Sequence, residues 1–201
     1  MAAAIAFVAG YVDAIGFVGF GGMFVSFMSG NSTRIGAGAA AIDLRAVLLT
    51  ASVIALFVIG VAVGQALGGT RDQVRQRRVL FIVSAALAIA ALAAMFAGPF
   101  PAILAAAFAM GAINTVFASS PLPVGLTYMT GTLVKLGQSL GQRWRGANSP
   151  AAWPYLVHWL ALVSGALIGA LAFSLWAFAA LWMAAAALAL LAAGTSTISE
   201  R

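Results

Sequence analysis

The chain of 201 residues is 64% hydrophobic and 7% charged, with a mean hydropathy of +1.08. A soluble domain carries about a quarter charged residues, so this composition predicts an integral membrane protein. The chain has no cysteine, which excludes disulfides and thiolate metal sites. The net charge of +6 comes from short Lys/Arg clusters between apolar runs, which indicates membrane topology and not nucleic-acid binding.

Six apolar runs are long enough to cross a bilayer, since about 20 helical residues span its hydrocarbon core. They cover about 2–20, 46–68, 79–97, 101–119, 152–172 and 175–194. The first run has no basic residue before Arg34, so we interpret it as a mature span and not as a signal peptide. Two shorter apolar runs, 23–41 and 124–141, carry polar clusters and follow helix breakers, Gly21-Gly22 and 119-SSPLP-123.

The two halves of the chain resemble each other when the sequence is shifted by 101 residues, without a gap. In this register 28-MSGNSTRIG-36 lies over 129-MTGTLVKLG-137, Asp13 lies over Asn114, and Gly64 lies over Gly165. The match predicts that residues 1–100 and 101–201 are copies of one unit within a single membrane domain.

The orientation of the two copies depends on whether the runs 23–41 and 124–141 cross the membrane. If neither crosses, each copy crosses three times, the basic loops 70–78 and 142–150 share the cytoplasmic face, and the copies are inverted. If both cross, the chain has eight spans in parallel repeats, and these loops lie on opposite faces. That arrangement opposes the positive-inside tendency.

We therefore predict an all-α protein of the bacterial inner membrane with two inverted repeats of three spans each and cytoplasmic termini. Each repeat contains a broken segment, a short extended stretch followed by a half-helix, and the two segments meet near the midplane. Eight spans in parallel repeats remain the alternative.

The polar residues at the two breaks predict a substrate site between the copies. Ser29 and Thr130 stand where helix N-caps would stand, and the first turns of the half-helices offer free N–H groups and positive dipole ends. Arg34 and Lys135 add positive side chains, which favours a negative ligand. The predicted substrate-binding residues are Ser29, Gly30, Asn31, Thr33, Arg34, Thr130, Gly131, Thr132 and Lys135.

Asp13 is the only acid within the predicted spans, and Asn114 takes its place in the second copy. A carboxylate inside a membrane is costly, so Asp13 and Asn114 are candidates for coupling transport to protons or for contacting substrate. If Asp13 pairs with Arg34, Lys135 lacks an acidic partner. The structural alternative places Arg34 and Lys135 near the membrane faces, with Asp13 bonded to local amides.

The stretch 10-GYVDAIGFVGFGGMFVSFMSGNSTRIG-36 resembles the YoaK-type family of bacterial membrane proteins, catalogued as a domain of unknown function. The specific part is G-Y-x-D-A followed by M-S-G-N-x-T-R, and the resemblance implies no substrate. In architecture alone, the chain is similar to anion and nucleobase permeases of the sulfate-permease and uracil-permease type. In each inverted repeat of those permeases, a short extended segment is followed by a half-helix whose N-terminus faces the substrate. This chain has far fewer spans per repeat.

From these observations we predict a small transporter or permease for a small anionic or polar solute. Membrane lipids are further partners, nucleic acid is not, and self-association into a homo-oligomer is left open. The alternative is a non-transporting membrane module, such as a partner subunit or a lipid-interacting protein, whose broken segments pack tightly. A single His, no Cys and no paired carboxylates in the spans argue against an enzyme, and no cofactor or metal is expected.

Overall fold

The computed structural model describes residues 1–69, 71–118, 127–146 and 150–195, and these ranges are helical apart from short turns and loops. The helices, in chain order, are α1 (Ala2–Gly19), α2 (Met28–Ala40), α3 (Leu44–Leu67), α4 (Asp72–Phe96), α5 (Pro99–Ile113), α6 (Met129–Trp144), α7 (Trp153–Trp176) and α8 (Leu181–Gly194). A 3₁₀ turn, Ala177–Ala180, joins α7 to α8.

Four helical stretches in the described part of the chain are long and apolar enough to cross a membrane: Ala2–Gly19, Leu44–Leu67, Asp72–Phe96 and Trp153–Gly194. The last has 42 residues and contains both α7 and α8, which are separated at Ala177, where φ is +47°. A further apolar helix, Pro99–Ile113, is shorter than these four stretches. The chain is a multi-pass membrane protein, as its composition predicts.

Local chemistry explains where several helices begin. Asp43 precedes α3 and accepts the N–H of Ala46 at 2.9 Å, which satisfies one of the free donors of the first turn. Gly98 has a φ of +91° and Pro99 follows at the start of α5, so α4 and α5 are joined by a tight turn.

Helices α1 and α7 pack backbone against backbone. A Cβ atom at Gly165 would collide with the carbonyl oxygen of Phe7, and one at Gly169 would collide with that of Tyr11. Small residues allow such close approach between apolar helices. The contacts advance along both helices in the same sense, so α1 and α7 are parallel.

Helices α3 and α5 make the same kind of contact. A Cβ at Gly60 would collide with the carbonyl oxygen of Phe108, and one at Gly64 would lie 3.0 Å from that of Ala112, so these helices are also parallel. In these contacts Gly165 takes the place of Gly60. The gapless sequence register instead lays Gly165 over Gly64. For α3 and α7 it therefore differs from the structural match by four residues, about one helical turn.

The core lies between α1, α4, α5 and α8. Its largest fully buried side chains include Leu80, Leu87, Ile103, Met110 and Leu188. The outward faces of α3 and α7 instead expose large apolar side chains, among them Val58, Ile59, Leu167 and Leu171. Apolar surface of this extent is suited to contact with lipid.

Helices α2 and α6 are shorter, with 13 and 16 residues, and each packs on the helix that follows it. At 1.5 Å per residue they rise about 20 and 24 Å, less than the hydrocarbon core of about 30 Å.

Candidate functional site

Helices α2 and α6 begin at matching positions of the two halves, Met28 and Met129. The N–H of each donates to a carbonyl two residues earlier, that of Ser26 at 3.2 Å and that of Thr127 at 2.9 Å. Since these turns start the helices early, the N-caps are Phe27 and Tyr128, without a side-chain bond. The prediction that Ser29 and Thr130 are N-caps is wrong.

Backbone N–H groups remain free at both helix starts. The N–H of Asn31 donates to Phe27 and that of Thr132 to Tyr128. The N–H groups between them have no acceptor in the described part of the chain; they belong to Ser29, Gly30, Thr130 and Gly131. Free N–H groups and the positive ends of two helix dipoles make this region attractive to hydrogen-bond acceptors.

A cavity of about 350 Å³ lies between the two helix starts, and we call it the inter-start cavity. At roughly 30 Å³ per water, this volume holds about a dozen water-sized groups. Phe57 of α3 contributes one wall. The other lining residues come in matching positions from the two halves: Ser26 and Thr127, Phe27 and Tyr128, Met28 and Met129, Ser29 and Thr130, and finally Gly131.

The structure brings together three of the predicted substrate-binding residues, Ser29, Thr130 and Gly131, which line the inter-start cavity. Gly30 lies in the same first turn, where a Cβ would come within 2.7 Å of the Phe27 ring. Sequence reasoning missed the remaining lining residues because it began each half of the site at Ser29 and Thr130. The repeat register could have identified all of them except Phe57, since the others precede the predicted residues at matching positions.

The other predicted residues of the first half hold α2 and its preceding loop. Asn31 is fully buried; its Nδ2 donates to the carbonyl of Phe24 at 2.7 Å, and its Oδ1 accepts the Phe24 N–H at 3.1 Å. Arg34 is exposed and donates to the carbonyl of Gly22 at 3.1 Å. Thr33 donates to the carbonyl of Ser29 within the helix at 3.2 Å. None of the three reaches the inter-start cavity.

The remaining predicted residues of the second half lie on another side of α6. Thr132 is buried and donates to the carbonyl of Tyr128 at 3.3 Å. Thr132 and Lys135 both line a separate cavity of about 190 Å³ between α6 and α7. The structure therefore does not bring Lys135 to the inter-start cavity.

Asp13 and Asn114 occupy equivalent places, each bonded to the residues before a helix start. Oδ1 of Asp13 accepts the N–H groups of Val25 and Ser26 at 2.8 and 2.9 Å. Oδ1 of Asn114 accepts the N–H and the hydroxyl of Thr127 at 3.3 and 3.1 Å. Both side chains thus determine where the loop turns into the helix.

Asp13 makes no hydrogen bond with Arg34, whose bond goes to Gly22. Of the two sequence-based interpretations of Asp13, the one with local amide bonds describes this geometry. Proton coupling at Asp13 stays a prediction.

The residues before α2 are a bent loop and not the extended stretch that the sequence predicts. Bends occur at Val25 and Ser26, and no strand is present in the described ranges. The reason is that Asp13 binds two successive amides of this loop while Asn31 holds Phe24 from the other side. The corresponding residues 119–126, with the predicted breaker, lie outside the described residues.

Within the described ranges, no group of three or more His, Asp and Glu side chains could hold a metal ion.

Two comparisons with known proteins find relatives of this chain. The profile of a family described as "Protein of unknown function (DUF1275)" matches residues 1–194. A UPF0700 transmembrane protein of Rhizobium meliloti (strain 1021) is 38% identical over 202 residues, covering 100% of this chain and 87% of the relative. No solved structure is a significant match. The first two findings confirm the resemblance to a membrane protein family of unknown function.

Proposed function

We propose, from the premise that the chain belongs to the DUF1275 family, that it is a small transporter or permease for a small anionic or polar solute. The solute binds in the inter-start cavity, between the beginnings of α2 and α6. The observation that carries the proposal is the composition of this cavity. Its walls come from matching positions of both halves, and free backbone N–H groups adjoin it.

The chemistry of the cavity favours a solute with hydrogen-bond acceptors. The free N–H groups and the hydroxyls of Ser29 and Thr130 can donate, and both helix dipoles present their positive ends. No Lys or Arg is among the described lining residues, so a monovalent anion or a polar neutral solute fits better than a multivalent anion. Phe27, Phe57 and Tyr128 supply the apolar walls usual in small-molecule sites.

Helix packing supports two inverted copies as the scaffold of this site. The hydroxyl of Thr50, near the start of α3, lies 3.9 Å from the sulfur of Met23, which follows the end of α1. Helix α3 thus begins near the end of α1, and we infer that the two helices run in opposite directions. Since α7 is parallel to α1 and α5 is parallel to α3, corresponding helices of the two halves run in opposite directions.

In an inverted arrangement, the pseudo-two-fold axis lies in the membrane plane and the binding site lies near the midplane. Helices α2 and α6 then enter from opposite faces and begin at the shared cavity. Their lengths, below the thickness of the hydrocarbon core, suit such half-helices. This topology also puts both termini and both basic loops on the cytoplasmic face.

The alternative function is a non-transporting membrane module, which requires the two helix starts to pack tightly against each other. A cavity of about 350 Å³ between them favours the transporter.

A substitution at Gly131 tests the proposal directly. A Cβ at Gly131 meets no atom within 4 Å and Gly131 lines the cavity, so a leucine at this position adds its side chain where the cavity has open space. Gly137 is the matched control, because it lies on the same helix, is equally open, and is not among the residues that line the cavity. We expect Gly131→Leu to block solute entry and Gly137→Leu to retain it.

The measurement is the swelling of liposomes that contain the purified chain, followed by light scattering. The probes are chloride, nitrate, formate and acetate as monovalent anions, with urea and glycerol as polar neutral solutes. The parent chain should accelerate entry of at least one probe, and Gly131→Leu should return that rate to the level of protein-free liposomes. The proposal is overturned if the parent accelerates none of the probes or if the two variants behave alike.

A further inference from the structure

A groove with several polar side chains runs between α6 and α7, away from the inter-start cavity. It consists of two neighbouring cavities that share Lys135 and Tyr155, and we call it the α6–α7 groove. The larger cavity, of about 190 Å³, extends towards Ala2 and His158. The smaller one, of about 110 Å³, extends towards Gln142. None of these residues lines the inter-start cavity.

Lys135 carries the charge of this groove. Its side chain is exposed and makes no hydrogen bond or ion pair with a described residue. No Asp or Glu is among the described residues that line the two cavities. The ammonium group therefore faces both cavities with its charge unmatched.

Further donors surround Lys135. Gln138 and Gln142 follow it on α6 and bring side-chain amides, while Tyr155 brings a phenolic hydroxyl. Tyr155 lies in the first turn of α7, so the positive end of that helix dipole adds to the field in the groove. Ser139 donates to the carbonyl of Pro150 and so links α6 to the segment before α7 at the smaller cavity.

The groove lies beside residues that are typical of a membrane surface. Trp144 at the end of α6 is 86% exposed, and Trp153 at the start of α7 is 67% exposed. Arg143 and Arg145 stand on either side of Trp144. Exposed tryptophans with neighbouring arginines mark the level of lipid headgroups, where basic pockets between helices bind phosphate.

We propose that the α6–α7 groove is a second ligand site, which binds a phosphate group of an anionic phospholipid headgroup or of free phosphate. In the larger cavity the ammonium of Lys135 forms the charged contact and the hydroxyl of Tyr155 donates to a further oxygen, while Gln138 and Gln142 line the adjoining smaller cavity. The five heavy atoms of a phosphate require about 150 Å³ at roughly 30 Å³ each, which the larger cavity provides. This site is independent of the proposed transport function.

The test measures thermal stabilisation of the purified full chain in detergent. One arm adds phosphatidylglycerol, with zwitterionic phosphatidylcholine as its control. The other arm adds inorganic phosphate, with chloride at the same ionic strength as its control. Each arm is run on the parent and on Lys135→Gln, and also on Arg143→Gln, which removes the same charge from the same helix outside the groove.

We expect Lys135→Gln to raise the ligand concentration needed for half-maximal stabilisation about tenfold, since a hydrogen bond to a charged group is lost. Arg143→Gln should change it far less. Stabilisation in the phosphatidylglycerol arm alone assigns the phosphate to a lipid, and stabilisation by inorganic phosphate assigns it to a free anion.

The proposal is overturned if neither arm stabilises the parent, or if Lys135→Gln and Arg143→Gln respond alike, because general attraction to a basic surface then explains the binding. Tyr155→Phe, which keeps the ring and removes the hydroxyl, gives a second test should Lys135→Gln fail to fold. It should weaken the same ligand, and unchanged affinity in this variant would also contradict the proposal.

Discussion

The two half-length helices start at matching positions, but the polar residues of their first turns are used differently. In α2, Asn31 binds the peptide of Phe24 and Arg34 binds the carbonyl of Gly22, so both hold the preceding loop. In α6, Thr132 bonds only to its own helix and Lys135 makes no bond to a described residue. The two helix starts therefore have the same backbone arrangement, but side chains of α2 hold the loop before it, whereas those of α6 named here make no such bond.

The contrast extends to the cavity and to the neighbouring helix. A Cβ at Gly30 would press on the ring of Phe27, whereas Gly131 is open. Along α2, a Cβ at Gly38 would lie 3.2 Å from Val47 of α3, whereas α6 and α7 leave a groove at Ser139. Under the two proposals made above, the difference divides the tasks between the halves: the first stabilises the fold and the second contacts ligands.

The largest expected difference between the halves concerns Asp13. Asp13→Ala leaves the N–H groups of Val25 and Ser26 without an acceptor, which costs about 4 kcal/mol at 1–3 kcal/mol for each buried donor. Asn114→Ala removes the acceptor of the Thr127 N–H and of its hydroxyl; because the hydroxyl can rotate towards another acceptor, the loss should be about 2 kcal/mol. The free energy of unfolding in mixed SDS micelles measures both. Equal losses of unfolding free energy in the two variants would show that Asp13 and Asn114 stabilise their helix starts to the same extent.

Asp13→Asn gives the first half the side-chain amide that Asn114 carries at the matching position of the second half. Because the amide oxygen can still accept both N–H groups, we expect less than half the loss seen for Asp13→Ala. Liposome swelling by this folded variant then tests proton coupling. Retained solute entry with unchanged pH dependence would exclude a coupling role for the carboxylate.

A smaller difference is expected at the next matching pair. Asn31→Ala removes two bonds from a fully buried side chain and releases Phe24, so it should cost about 2–3 kcal/mol. Thr132→Ala removes one bond within a helix and should cost about 0.5 kcal/mol. The same unfolding assay applies, and proteolysis within the loop 20–27 should accelerate in Asn31→Ala alone. Comparable losses in the two variants would mean that the second half is as tightly fixed as the first.

The smallest effect is expected for the two cations. Arg34→Gln loses one exposed bond to the backbone and should destabilise the chain by about 0.5 kcal/mol, while Lys135→Gln should change its stability by less than that. Thermal unfolding without added lipid or phosphate measures both. A larger loss for Lys135→Gln would show that its side chain supports the fold, contrary to the contrast drawn above.

The presence of a short helix after each break could be predicted from the repeat, because 28–36 matches 129–137, but the first residue of each helix could not. The composition of the site could be predicted only in part. Lys135 follows Thr130 by five residues, which turns it about 140° around the helix at 3.6 residues per turn, so the two side chains face different sides. The prediction that Thr130 and Lys135 share one site does not take this rotation into account.

Other features depend on contacts that the sequence does not display. The bent form of the loop before α2 follows from Asp13 and Asn31, which bind it from two helices. The early start of α2 follows from the turn between Ser26 and Met28. The shift of one helical turn between α3 and α7 emerges only where Gly60 and Gly165 meet carbonyl oxygens.

The backbone contact between α1 and α7 has a consequence for biosynthesis. Helix α1 is made before α7, but its contact surface at Phe7 and Tyr11 is covered by Gly165 and Gly169 of α7. At about 5–20 residues per second, the ribosome reaches α7 on the order of ten seconds after completing α1. During that interval α1 has to remain in the bilayer as a separate helix. Its final docking therefore has to wait until α7 has been synthesised and inserted.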